Sequence, residues 1–325
     1  SFQVVQFSGH EALNQPYRFE VEVIGLPPTM PFDQLLQQPL FLSLGHGQGF
    51  HGILHSTSRD YRGAQQVGYN MVLVPYLQAL DGNSRRRVFH DLSVPMILQQ
   101  LLEEHDLPAD SYRFELANGH YPRRPFCIQY EESDLGLLQR LCEEEGIHYH
   151  FEHDRDGHVL VLADDSLSFP QAPLLTPFQV DAPLEPARPA ISELFQRHDA
   201  LPSHPRREAG NRGAPNAGDG AAHHAFGKTA LRMARPDPEQ DQRSRRQLQR
   251  LRCLQQQVHG QSNHGALRSA RIVQVSAHPL ACFNEQWLLI ETRHQGRQPP
   301  APARDCSALL YRNRFNAIPW STEFR

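Results

Sequence analysis

What this 325-residue chain has little of narrows it first. No stretch approaches the ~20 consecutive apolar residues that a helix needs to cross a bilayer, so no membrane span is expected. Ser1 to Gln6 run straight into strand-like sequence, without the apolar core of a signal peptide. Cysteine is sparse and odd in number: Cys127, Cys142, Cys253, Cys282 and Cys306. No two of them form the CxxC pair of a zinc site. Mostly apolar surroundings read as reduced, buried thiols of a chain folded in the cytoplasm, not as catalytic groups. A P-loop and a GxSxG elbow are both absent, which weighs towards a non-enzyme. Hydrophobic residues make up 39%, low for a globular chain, and the formal net charge of −4 implies no polyelectrolyte partner. Proline and glycine are generous at 26 and 21, as suits many short elements joined by turns. The length predicts two or three domains.

In chain order, Tyr17 to Val23 alternates cleanly, with Tyr17, Phe19, Val21 and Val23 inward and Arg18, Glu20 and Glu22 outward. A short apolar segment, Phe32 to Leu36, precedes a strand around Leu40 to Leu44. Phe50 to Asp60 and Val67 to Leu77 follow as strands joined at Arg62-Gly63, so residues 1–85 read as a first small barrel or sandwich. Ser93 as N-cap, Pro95 in the first turn and a stripe of Val94, Ile97, Leu98, Leu101 and Leu102 predict a helix that Pro108 ends. Residues 86–198 hold this helix and a strand-helix-strand-hairpin region. The composition of 199–242 predicts a flexible loop. Residues 243–325 then supply a helix and late strands at Arg271–Val275, Trp287–Thr292 and Leu309–Phe315. That last helix carries Arg243, Arg245, Arg246, Arg250 and Arg252. Without aromatic stacking partners, a solvated face or a neighbour's acids is preferred over nucleic acid.

The most structured stretch runs from Phe126 to Phe151. Phe126 to Tyr130 reads as a strand with a polar interruption at Gln129. Ser133 can cap a helix whose stripe is Leu135, Leu138, Leu141 and Cys142, and Gly146 suits its left-handed end. Ile147, Tyr149 and Phe151 then alternate with His148 and His150. Glu143, Glu144 and Glu145 crowd the end of the helix where its dipole disfavours anions. A basic neighbour, Arg123, Arg124 or another subunit, is one way to offset this, and solvent screening is the other.

Two chemical readings compete with a structural one. His148 and His150 share a strand face, and His153 or His158 across a hairpin at Asp156-Gly157 are the remaining candidates for a zinc set. The plainer reading places the pair on the polar face of an amphipathic strand, and no metal or cofactor is assigned. Glu131, Glu132, Asp134, Glu143 to Glu145, Asp164 and Asp165 offer acids for a glycosidase pair, but no hydrolase pattern accompanies them. No catalytic residue is assigned.

The run Gln129-Tyr130, Glu132-Ser133-Asp134-Leu135 and Glu143-Glu144-Glu145-Gly146-Ile147 closely resembles the segment shared by the VgrG spike proteins of type VI secretion and the hub proteins of contractile phage tails. His148 and His150 depart from it, where aromatic residues are common. Further resemblances lie at Pro16–Glu22, Phe50–Ile53, Val74–Leu77, Arg86–Phe89, Ser93–Pro95 and Ala163–Asp165, and at Tyr311, Asn313 and Phe315. The resemblance implies a mainly β fold with a few helices, in which two similar small β-barrels carry helical insertions. It also implies a homotrimeric hub docking on a hexameric inner-tube protein, with baseplate proteins and an effector or tip protein as partners. Such a spike is assembled in the bacterial cytoplasm and expelled by contraction. A phage-tail or tailocin hub is the alternative within the class, and a cell-wall hydrolase the alternative outside it. Candidate interface residues are Arg123, Arg124, Glu143, Glu144 and Glu145, with the loop after Asp199 as a further contact. The family's valine-glycine needle repeat is missing, so the chain is expected to be the head of a longer spike.

Overall fold

Alternating apolar residues organise most of this chain into strands, as a computed structural model shows. It describes residues 3–24, 34–45, 47–61, 67–117, 119–181, 188–196, 257–298 and 310–320. The chain divides into two units, 1–196 with 256–325, and 197–255. All described residues fall in the first of them. The expected flexible loop and the arginine-rich helix lie outside the described residues, as do the turn at Arg62-Gly63, Cys253 and Cys306.

The first five strands are β1 (Gln3–Ala12), β2 (Gln15–Ile24), β3 (Pro39–Gly45), β4 (Gln48–Tyr61) and β5 (Val67–Val74). Tyr17, Phe19, Val21 and Val23 point inward as expected, into a core with Phe50, Leu54, Tyr69 and Met71. Glu22 departs from its expected outward position. It is buried and accepts a hydrogen bond from Gln6 Nε2 at 2.8 Å.

A second core is built by β11 (Leu174–Pro177), β12 (Ile191–Gln196), β13 (Val258–Ser262), β14 (Ile272–Ser276), β15 (Gln286–Arg297) and β16 (Leu310–Pro319), through Ile191, Val258, Val273, Leu289 and Phe315. One ladder joins both cores in the order β12-β13-β16-β15-β1-β2-β5-β4-β3, with β14 and β11 branching from β15. Two closed barrels were expected. The described pairings give two cores on one open ladder, because β1 pairs with β2 on one edge and with β15 on the other. A buried chain of polar groups crosses this junction. Ser269 N–H donates to Glu11 Oε1 at 2.9 Å, His294 Nε2 lies 3.1 Å from the same oxygen, and His294 Nδ1 lies 2.6 Å from the Tyr311 hydroxyl.

The middle of the chain forms a layered unit. β6 (Arg85–Leu92) and β8 (Arg124–Glu132) pair as a two-stranded ribbon. Behind it pack α1 (Val94–Glu104) and α2 (Asp134–Glu145), and behind these lies a sheet of β7 (Tyr112–Glu115), β10 (His158–Ala163) and β9 (His148–His153). All five residues of the α1 stripe are buried. Its Ser93 side chain, expected as a cap, makes no capping hydrogen bond. In α2 the expected ends are both present: Gly136 N–H donates to Ser133 Oγ at 3.1 Å, and Gly146 adopts φ 70°. Cys127 and Cys142 are buried, while Cys282 is exposed, against expectation, on a short turn after β14.

Asn14 pins the sheet to the layered unit. At φ 62° in the β1–β2 turn, its N–H donates to Tyr149 O at 2.9 Å and its side-chain oxygen accepts from Tyr149 N–H at 2.7 Å. Asn14→Ala loses that acceptor and strains a left-handed backbone, for an expected loss of about 2 kcal/mol. Asn14→Gly relieves the strain only, for about 1 kcal/mol. Urea unfolding of both variants checks the order; equal losses would refute it.

Candidate functional site

The ribbon is the most unusual surface of this unit. Strand alternation divides β8 into Phe126, Ile128 and Tyr130 on one face and Cys127 and Gln129 on the other. Ordinary packing would bury the three large side chains. Here the opposite holds: Gln129 and Cys127 face the helices, while Val88, Phe126, Ile128 and Tyr130 are 47–63% exposed. Val88 pairs directly with Ile128, so the four form one apolar strip, with the Arg86 guanidinium over the Tyr130 ring.

The inversion follows from a polar knot beneath the ribbon. Asp134, at the start of α2, is almost fully buried. Its carboxylate accepts from Arg87 Nη2 at 2.9 Å, Gln129 Nε2 at 2.8 Å and His105 Nε2 at 2.8 Å, with Arg85 at 3.3 Å. Burial opposes its charge. The hydrogen bonds from His105 and Gln129 and the charges of Arg87 and Arg85 outweigh that and hold its pKa below the usual carboxylate range. Arg87 Nε also donates to Gln129 Oε1 at 2.7 Å, so Gln129 must face inward and its neighbours outward.

Three of the five residues expected at an interface meet at the other end of the ribbon. Arg124, which opens β8, pairs with Glu144 at 2.8 Å and with Glu145 within the same chain. Arg140 bridges Glu144 at 3.1 Å and Glu132 at 2.6 Å. Burial works against charge at Glu144, yet the hydrogen bonds from Arg124 and Arg140 depress its pKa. The acidic end of α2 is thus offset by arginines of its own chain. Arg123 pairs with Asp91 instead, at 3.1 Å.

The four candidate histidines do not converge. His148 and His150 are buried on one face of the sheet, stacked near Phe169, whose ring centroid lies 4.7 and 5.3 Å away. His153 and His158 point from the other face towards Tyr17, 4.8 and 5.7 Å distant. The solvated polar face expected for His148 and His150 is therefore covered by Phe169. His158 belongs to a pair the sequence did not suggest: Tyr76 N–H donates to its Nε2 at 3.0 Å, so its Nδ1–H donates to His51 Nδ1 at 2.9 Å. Among the described residues no set of three ligands for a metal forms. The candidate acids are likewise engaged structurally: Glu131 with Arg86, Asp164 with the Tyr121 hydroxyl, and Asp165 with Leu167 N–H. A groove of about 470 Å³ across β1, β2, β5, β15 and β16 contains Glu20, Glu22, Arg297 and Arg312 but none of the candidate acids.

Burial lowers the His150 pKa to about 3, with His148, Arg113 and Arg271 adding repulsion. Neither ring nitrogen has a hydrogen-bond partner among the described residues. Its folded pKa lies below the unfolded value near 6.5, so as pH falls the unfolded chain takes up this proton first and stability drops. At pH 5 the loss from this group is about 2 kcal/mol. His150→Phe forfeits no hydrogen bond and is expected to unfold at a higher temperature than the native chain at pH 5, with a smaller difference at pH 7. Thermal unfolding at both values measures this, and an unchanged pH dependence would contradict it.

The phage tail baseplate hub family model matches residues 10–300. Two type VI secretion spike proteins of Pseudomonas aeruginosa are similar over essentially the whole of this chain. VgrG5 is 38% identical over 100% of this chain and 44% of its own length. VgrG4b is 36% identical over 99% of this chain and 42% of its own. The chain therefore spans less than half the length of these relatives. Among solved structures, an Escherichia coli type VI secretion component, described as similar to T4 phage tail proteins, aligns over 99% of this chain and 74% of its own. Its TM-score is 0.73 at 21% identity. A tail protein from Neisseria meningitidis aligns over 99% and 94%, with TM-score 0.60 at 11% identity.

Proposed function

The chain belongs to the phage tail baseplate hub family, and from that membership we propose that it is the hub part of a type VI secretion spike. The observation that carries this reading is the similarity to two spike proteins over essentially all of this chain, covering both sheet cores and the layered unit between them. In this reading three copies form a ring that docks on the hexameric inner tube within the baseplate. Contraction then drives the assembled tip, with its effector or tip protein, through a target envelope. The work is positional: the chain transmits force and fixes orientation without catalysing a reaction. A relative named as an actin cross-linking toxin of Vibrio cholerae matches this chain over only 31% of its own length. Chemistry carried by such a spike is placed outside the hub part. Assembly takes place in the bacterial cytoplasm, and contraction carries the spike out. Among the described residues no helix is long and apolar enough to cross a membrane.

Arg123, Arg124 and Glu143 to Glu145 are proposed as the polar rim of a contact between copies. A phage-tail or tailocin hub is the second reading, favoured by the fold shared with the Neisseria tail protein over nearly all of that chain.

Docking is tested by mixing the purified chain with rings of the inner-tube protein from the same apparatus and imaging the product by electron microscopy. The expected particle is a tube segment capped at one end. No binding, together with muropeptide release from peptidoglycan, would replace the hub by a hydrolase.

A further inference from the structure

We propose that the His51–His158 pair is a proton-released clasp: acidification breaks it and opens the seam between the β2–β5 sheet and the layered unit. The inference stands apart from the hub reading and does not rest on it.

The clasp joins three elements. His51 lies on β4, His158 opens β10, and Tyr76 stands in the short turn after β5. Both histidines are only 3% exposed. Tyr17, from β2, braces the pair: its hydroxyl donates to the His51 carbonyl at 2.7 Å, and its ring meets that of His158 edge-on at 5.7 Å. The Tyr76 ring stacks on the His158 ring, 4.6 Å away.

Each contact in this row holds one proton. Tyr76 N–H fills His158 Nε2, at 3.0 Å. The 2.9 Å contact between the two Nδ1 atoms has room for one proton more, the one on His158. With both rings neutral, every contact is satisfied. A further proton on His51 Nδ1 sets two N–H groups face to face. Shifting the His158 proton to Nε2 only moves that clash to Tyr76 N–H. No tautomer accommodates a charged ring, so protonation requires the rings to part.

The surroundings offer no remedy. Among the described residues no carboxylate lies within hydrogen-bond distance of either ring. Asp154 and Asp156, on the β9–β10 hairpin, attract a proton to His51 through space, but burial outweighs them. His153 on β9, its ring 6.3 Å from that of His158, makes no hydrogen bond to either ring, and Arg268 adds positive charge beside it. Two other histidines differ in this respect. His294 faces Glu11 at 3.1 Å and His105 faces Asp134 at 2.8 Å, so each can take a proton and gain an ion pair.

The other link across this seam, between Asn14 and Tyr149, uses backbone and amide groups that do not titrate. Acid opening is therefore confined to the histidine side. Burial, with His51 adding repulsion, holds the closed-state His158 at about 3, against about 6.5 for a freed ring. The closed state binds fewer protons, so its advantage is full above pH 6.5 and drains away as pH falls towards 3.

The Tyr76 amide reports the clasp directly, because its acceptor is His158. The test is hydrogen exchange of the full chain at pH 8 and pH 5, corrected for the chemical exchange rate and resolved by overlapping peptides. The opening constant at Tyr76 is expected to rise about 30-fold from His158 alone, and further as His51 is freed. The Tyr149 amide, held by Asn14, is expected to change little. His51→Asn offers His158 an acceptor that does not titrate, and is expected to bring the rise down to about 30-fold. His158→Gln keeps an oxygen for Tyr76 N–H and is expected to remove most of the rise. His150→Phe, on the opposite face of the β9–β10 sheet, is expected to leave it as in the native chain.

A rise that survives both His51→Asn and His158→Gln undiminished overturns the clasp, as does one abolished by His150→Phe. Tyr76 and Tyr149 rising together would mean global acid unfolding and overturn the local opening. A native chain with no rise at Tyr76 overturns the proposal.

Discussion

The architecture depends on β1 being shared. One edge of this strand belongs to the sheet of β2 to β5, and the other holds β15, some 280 residues further along. Because β-pairing satisfies both edges of the strand backbone, neither core can form its full ladder without the other. The buried Glu11, His294 and Tyr311 groups strengthen the constraint. Each sits on a different strand of the junction, and a slip of one residue in register would leave all three polar groups buried without partners. Asn14, one turn beyond β1, carries the same constraint to β9 and so to the layered unit.

Local chemistry was legible in the sequence. The stripes of α1 and α2, the Ser133 cap, the left-handed Gly146 and the alternation of β2 are set by neighbours a few residues away, and they stand where the pattern puts them. What the pattern could not convey depends on distant residues. Period-2 alternation says which side chains share a face, but not which face is buried or by what. His148 and His150 read as a polar face because Phe169, which covers them, lies about twenty residues on. Glu22 read as exposed because its partner Gln6 is on another strand. The two-barrel expectation came from resemblance, and the ladder joining both cores rests on pairings across nearly the whole chain.

The exposed face of the ribbon is hidden from the sequence for the same reason. In the sequence its charges stand out, since three consecutive glutamates at a helix end demand an offset. The arginines of the chain supply that offset, which makes the charged cluster an internal brace. Once Gln129 is tied to Asp134 and Arg87, the aromatic residues beside it have nowhere to go but outward. Their exposure is a consequence of the knot, and a rigid apolar strip is the result.

That rigidity has its source in the layers behind the strip. Behind the ribbon lie two helices and a sheet, packed through Leu98, Leu101, Leu138 and Leu141. Close packing resists shear, because any rotation of one layer opens gaps in the next. Arg124, Arg140 and Asp134 fasten the ribbon to α2 at both of its ends. The buried leucines and the ion pairs therefore do more than stabilise a monomer. They hold the apolar strip in one fixed orientation on the layered unit.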